Sequence, residues 1–289
     1  MQAERTASGR RTSSAAARVW ALTSVLAAAA VVLYVAAARD GGPLLENGFT
    51  VAPWLLAALF LAAECMVVHI VFRREAFTFS LSEIPLVVGL FFVSPSTLVL
   101  SQVVGAAFAL AHRRQKPMKY CFNLALMALS PSIAVAVFRF LHPGTSPLTL
   151  RAVAVAMAAV SASVVVCAVS ISAAIALAEG RPRLDKLAAS FVGNFLAGVT
   201  NASLGLMAVV LLWIDAVAGW LMVVPAAVIL IAYRSLTQSR EKQDGLEFLY
   251  EASRVLHSGA SLGEPMVELL ALARDTFHAE LAELVLVPE

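Results

Sequence analysis

Charge is scarce in this chain: Asp, Glu, Lys and Arg together make up 14% of 289 residues, whereas apolar residues make up 60%. That balance excludes an ordinary water-soluble domain, in which about a quarter of the residues are charged. Cysteine is nearly absent. Cys65, Cys121 and Cys167 fall in three different apolar runs with no CxxC pair, which excludes a disulfide framework and a cysteine-rich zinc site. Cys65 and His69 are one helical turn apart, but two ligands do not make a metal centre, and no metal or other cofactor is implied. A net charge of +2 without a basic stripe gives no support to a nucleic-acid partner.

What is abundant is long apolar sequence. A helix needs roughly 20 apolar residues to cross the hydrocarbon of a bilayer. Val19–Ala38, Val51–Phe72, Tyr120–Phe138, Ala152–Ala178, Leu187–Trp213 and Ala216–Ile231 meet or approach that length. Between the second and third lie two shorter runs, Leu81–Val93 and Thr97–Ala111, split by Ser94-Pro95-Ser96; they either cross as two short helices or dip in as a re-entrant hairpin. The sequence therefore predicts an all-α polytopic membrane protein of about eight transmembrane helices. Residues 1–18 form a tail ahead of a retained signal anchor, and 19–233 the multi-span domain.

The placement of basic residues orients this domain. With the amino terminus inside, the cytoplasmic segments receive Arg5, Arg10, Arg11, Arg18, Arg73, Arg74, Arg113, Arg114, Lys116, Lys119, Arg181, Arg183, Lys186, Arg234, Arg240 and Lys242. The opposite side keeps Arg39, Arg139 and Arg151. Such asymmetry predicts both termini in the cytoplasm of a multi-pass cell membrane protein. The exterior connections, Asp40–Asn47, His142–Pro147 and the turn at Ile214-Asp215, are too short to fold as a binding domain, so any stimulus is met within the bilayer.

Ionisable and amide side chains inside apolar runs carry an insertion cost and mark candidate sites. Glu64 stands in LAAECMVVHIVF, where it could take a proton or face Arg139 or a ligand amine; the structural alternative is a carboxyl that joins two helices. Glu83 lies in SLSEIPLVVGLFF, where Ser82 can cap a helix with Glu83 in its first turn and Pro85 at its third position. Capping alone explains that spacing, while a short helix stopped by Ser94-Pro95-Ser96 matches the broken helices that line membrane pockets. Asn123 begins its helix, within reach of neighbouring backbone or the Glu83 segment. Asn194 and Asn201 share a face with Gly198 and Gly205, a stripe suited to close helix packing and, secondarily, to ligand binding. Phe91-Phe92, Trp54, Trp213 and Trp220 are ordinary for a membrane interior and its interfaces.

Beyond the last apolar run, Tyr233–His257 reads as a polar helix whose Leu246, Leu249, Ala252, Val255 and Leu256 recur on one side. Residues 234–258 form a signalling linker, with Leu246, Leu249 and Leu256 as relay positions and a homodimer as the economical use of the face; packing on its own soluble domain is the alternative. Residues 259–289 give an amphipathic helix through Met266, Leu269, Leu270, Leu272 and Ala273, then a strand at Leu281–Val287. That opening cannot bury its faces alone, which predicts an output domain further along the polypeptide.

Two stretches carry a resemblance. The block SLSEIPLVVGLFFVSPSTLVLSQVVGAAFALAHRRQKPMKYCFNLALMAL, with EGRPRL later, resembles the multi-span amino-terminal region of actinobacterial-type signalling proteins. SREKQDGLEFLYEASRVLHSGASLGEPMVELLALARDTFHAELAELVLVPE resembles their linker helix and the first helix and strand of an α/β GAF domain. The resemblance covers about two thirds of the chain and implies a sensory module followed by GGDEF and EAL domains that make and break cyclic di-GMP. No GGDEF, EAL, kinase or phosphatase motif stands within these residues, so no catalytic residue is assigned and an enzymatic activity is expected only of a continuation. A transporter with Glu64, Glu83, Asn194 and Asn201 in its path, and an anchor for a soluble partner, are the other readings.

Overall fold

The computed structural model describes residues 2–38, 42–43, 50–66, 68–72, 75–79, 81–141, 149–179, 184–215 and 217, with isolated positions after 249; for 2–14, 37–38, 68–72, 75–79, 179, 184–191, 193 and 194 the description is of backbone only. The chain divides into two units, Met1–Leu221 and Met222–Glu289. Among the described residues of the first lie seven helices: α1 (Gln2–Ala38), α2 (Pro53–Cys65), α3 (Glu83–Phe92), α4 (Pro95–His112), α5 (Pro117–Leu141), α6 (Leu150–Glu179) and α7 (Leu184–Ile214). Five of them contain stretches long and apolar enough to cross a membrane: Ala15–Ala36, Pro95–His112, Pro117–Leu141, Leu150–Ala178 and Phe195–Ile214. α2 and α3 are apolar but shorter. The eighth expected run, Ala216–Ile231, lies outside the described residues, as do the relay positions Leu246, Leu249 and Leu256.

The expected second span does not continue to Phe72. Helix α2 ends at Cys65, and Val68–Phe72 instead forms β1, paired antiparallel with β2 (Glu75–Phe79) in the register Val68↔Phe79 to Phe72↔Glu75. Val, Ile and Phe at that end favour extended backbone, because branched and aromatic side chains lose rotamer freedom against a helical turn. An isolated hairpin is marginal in water. Here β2 lies against α7.

Leu81–Val93 and Thr97–Ala111 form an unequal pair of helices. α4, at 18 residues, rises about 27 Å, close to the hydrocarbon thickness, whereas the 10 residues of α3 rise only about 15 Å. Ser94 starts α4 firmly: its Oγ accepts from the Thr97 amide at 3.3 Å, and Pro95 takes the first helical position, where a missing N–H costs nothing. Just three residues from its own end of the elbow, Gly89 comes against Leu98 of α4, so the two helices fold back on one another.

The shortest helix is also the most enclosed. Every residue from Pro85 to Phe92 is buried, and α3 touches α2, α4, α5, α6 and α7. Its sequence EIPLVVGLFF is apolar on all sides, as a helix must be when neighbours surround it. Phe91 meets Phe138 of α5 edge to face, with ring centroids 5.2 Å apart. A second apolar cluster joins α1 to α5 through Leu26, Ala30, Phe122, Ala125, Leu126 and Leu129. The outward sides carry large apolar residues such as Val32, Phe108 and Val169, as surfaces facing lipid do.

In the second unit, the described residues at 267, 269–271, 273 and 274 are helical, with Leu269, Leu270 and Ala273 half-buried and Val267 and Arg274 exposed. Leu269, Leu270 and Ala273 belong to the amphipathic stripe expected from the sequence, whose Met266 and Leu272 lie outside the described residues.

Candidate functional site

The head of the enclosed helix is where polarity enters the bundle. Glu83 opens α3, and its Oε2 accepts a hydrogen bond of 3.0 Å from Asn201 Nδ2, a 7%-exposed amide on α7. One turn further along α7, Gly205 faces α3 so closely that a Cβ there would sit 2.8 Å from Val87 Cβ and 3.2 Å from the Ile84 carbonyl oxygen. Asn201 and Gly205 thus work as a pair at i and i+4: the glycine brings the backbones together, and the amide meets the carboxyl. Because 201 meets 83 and 205 meets 84 and 87, α3 and α7 run parallel. The expected stripe divides, however. Gly198 turns to α6, where its Cβ would lie 2.9 Å from Val164, and the side chain of Asn194 is not among those described.

The remaining candidates sort by geometry. Pro85 stands at the third position of α3, where its absent N–H leaves the helical ladder intact. Ser82 holds the N-cap position but makes no side-chain capping bond; its φ of −66° and ψ of −19° are helical, whereas a capping side chain belongs on an extended residue. Asn123 is not part of the Glu83 cluster. Its Nδ2 donates to Gln115 Oε1 at 2.9 Å and braces the turn between α4 and α5.

Glu64 is 4% exposed in the last turn of α2. Arg139 does not face it. That guanidinium donates to the Gly42 carbonyl at 3.2 Å, beside the α3–α4 elbow, while the Arg113 guanidinium donates to the main-chain carbonyl of Glu64. Cys65 and His69 cannot share one helix face, since His69 belongs to β1. Among the described residues no group of three metal-ligating side chains occurs.

A clasp that sequence reasoning passed over holds α2 on α4. Ser101 Oγ donates to the Pro53 carbonyl at 3.2 Å, Gly105 faces α2, and Arg113 ends the series at Glu64. A Cβ on Gly105 would lie 2.6 Å from the Ala57 carbonyl oxygen and 2.8 Å from the Leu61 nitrogen, main-chain atoms that cannot rotate away. The contacts advance together, so α2 and α4 are parallel, and Arg113 stands at the negative ends of both helix dipoles. Ser101, Gly105, Ala109 and Arg113 recur every four residues, so the signal was present as a small-residue repeat. Gln102, 3% exposed, was also missed; its Nε2 is 4.0 Å from Met127 Sδ and its Oε1 has no hydrogen-bond partner.

No family model, curated protein or solved structure matches the chain. The functional reading rests on this geometry and on the pattern of residues. The site is a carboxyl–amide pair at the start of a half-length helix within the apolar bundle.

Proposed function

We propose that this chain is the membrane-embedded input module of a signal-transduction protein. A stimulus met within the bilayer alters the packing of α3 against α7, and the change passes through the last apolar run and the 234–258 helix to a GAF-like domain and an output domain on the same polypeptide. Diguanylate cyclase and phosphodiesterase activity is the output that the resemblance favours, with a homodimer formed through Leu246, Leu249 and Leu256. The observation that carries this reading is the Glu83–Asn201 bond. A carboxyl within an apolar bundle is costly, and joining the most enclosed helix to a long one gives that cost a use in coupling their movements.

The orientation belongs to the same proposal. Arg113, Arg114, Lys116 and Lys119 crowd the α4–α5 turn and sit on the cytoplasmic side; Arg139 and Arg151 are outside, and both termini are cytoplasmic in the inner or plasma membrane. The test is cyclic di-GMP turnover by the full-length protein, compared with Glu83→Gln, Asn201→Leu and a form lacking residues 1–230. Altered regulation in the point variants supports the proposal; unchanged signalling in all three overturns it.

A transporter is the second reading, favoured by α3 itself, since a half-length helix headed by a carboxyl is the arrangement that lines substrate and ion paths. Uptake by reconstituted vesicles that is lost in Glu64→Gln or Glu83→Gln would put this reading first. Insensitivity of both signalling and uptake to every polar substitution would leave the chain as an anchor.

A further inference from the structure

From Ile84 to Ala178 the chain has no Asp or Glu, yet the same stretch holds Arg113, Arg114, Lys116, Lys119, Arg139 and Arg151. The first four of these cations crowd the α4–α5 turn, and all four are exposed. The turn is braced. The Arg113 guanidinium donates to the Glu64 main-chain carbonyl, Asn123 Nδ2 donates to Gln115 Oε1 at 2.9 Å, and Tyr120 Oη donates to the Ala107 carbonyl at 3.5 Å. Among the described residues, the side chains of Arg114, Lys116 and Lys119 take no hydrogen-bond or ion-pair partner. Compensation of the helix dipoles does not account for all of them. Arg113 and Arg114 answer the negative end of α4, but Lys116 and Lys119 flank the first turn of α5, where the dipole opposes a cation and no acidic residue stands. Both helices are long and apolar enough to cross a membrane, so the turn that joins them lies at the bilayer surface, level with the headgroups.

We infer that this turn is a docking surface for anionic phospholipids of the leaflet in which it lies, their headgroups on Arg114, Lys116 and Lys119. The charge is complementary: three exposed cations without an internal counterion face a layer whose anionic lipids supply one, and cations within a Debye length of such a surface are drawn to it. Position selects the occupant, because headgroups surround a turn at that level whatever else is in solution. The surface is independent of the Glu83–Asn201 pair, of the proposed signalling role and of which side of the membrane the turn faces.

Native mass spectrometry of the full chain, released from micelles titrated with phosphatidylglycerol or with phosphatidylcholine of the same chains, tests the inference. Phosphatidylglycerol is expected to be retained over phosphatidylcholine, and its retention to fall about fivefold for each cation removed, hence about 25-fold in Lys116→Gln/Lys119→Gln and further when Arg114→Gln is added. Lys116→Arg/Lys119→Arg, which keeps the charge, keeps the retention. Arg139→Gln/Arg151→Gln removes as much charge away from the turn and leaves retention unchanged. Undiminished retention in the Lys→Gln pair, or an equal loss in the Arg→Gln pair, overturns the surface. The unsubstituted chain gives a second reading: raising the salt from about 0.05 M to about 0.5 M weakens retention through screening, and retention indifferent to salt overturns the inference without any substitution. Displacement of the phospholipid by a short duplex DNA at equal phosphate concentration overturns the assignment to lipid.

Discussion

Gly105 and Gly205 let helix backbones approach closely in this bundle, and Asn201 adds a hydrogen bond between two helices. Lipid tails are as apolar as leucine, so helices in a bilayer associate through packing and hydrogen bonds, and small residues govern how near two backbones come. At Gly105 a side chain would meet main-chain atoms of Ala57 and Leu61. Gly105→Leu is therefore expected to separate α2 from α4 and lower the thermal midpoint in detergent by the equivalent of about 1–3 kcal/mol or more, the usual cost of overpacking. Gly198→Ala should cost less, since its neighbour, Val164, is a side chain that can shift. At Asn201 the expected effect is smaller: Asn201→Leu removes the donor to Glu83 at a cost of about 0.6–2 kcal/mol, the range for interhelical hydrogen bonds in membranes. Double-mutant analysis with Glu83→Gln should give a coupling energy distinct from zero. Additive costs would mean that the two side chains act separately.

Elements in this protein are made by their ends as much as by their interiors. α4 begins where Ser94 accepts the Thr97 amide and Pro95 needs no partner, and this start turns the chain back on α3. Ser94→Ala should therefore destabilise the protein by about 1 kcal/mol through the cap alone, read as a lower unfolding midpoint, while Ser96→Ala should change it by less. α5 carries Pro131 inside its length, where no N–H is available for the helical ladder, and Ser132 Oγ donates to the Ala128 carbonyl at 2.7 Å beside it. The stop at Cys65 shows a different control. VVHIVF is as apolar as the helix before it, so hydropathy alone extended α2 to Phe72; branched side chains and pairing with Glu75–Phe79 decided otherwise.

Within the first unit the organising fact is inverted size: among the described helices the shortest, α3, has the most neighbours. α3 sits among α2, α4, α5, α6 and α7, so a movement of α3 is felt by each of them. The parallel contacts of α2 with α4 and of α3 with α7, and the fold-back of α3 on α4, set one end of the bundle at Arg113 and the other at the Ser94-Pro95 elbow. Single cysteines at Ser96 and at Lys116, in a chain with Cys65, Cys121 and Cys167 replaced, are expected to react with an impermeant thiol reagent only at Ser96 in intact cells. Labelling at Lys116 instead would reverse the proposed orientation, and labelling of an added cysteine at Tyr250 from outside would remove the cytoplasmic linker on which the signalling proposal depends.

The long apolar helices α1, α5, α6 and α7 could be read directly, because each needs about 20 apolar residues to traverse hydrocarbon and that demand leaves an uninterrupted run, whereas α2 stops at Cys65 and the run Ala216–Ile231 lies outside the described residues. Glu83, Asn201 and Gly205 also stood out as residues out of keeping with their surroundings. Their partners did not: nothing in the local pattern ties position 83 to position 201, since that contact is made by packing across 118 residues of chain. Only the tertiary structure decided that Arg113, not Arg139, stands at Glu64, that Asn123 turns to Gln115, and that a ten-residue helix lies at the centre. The physical reason is that burial in lipid and burial in protein demand the same apolar composition, so composition marks what avoids water but not which neighbours it meets.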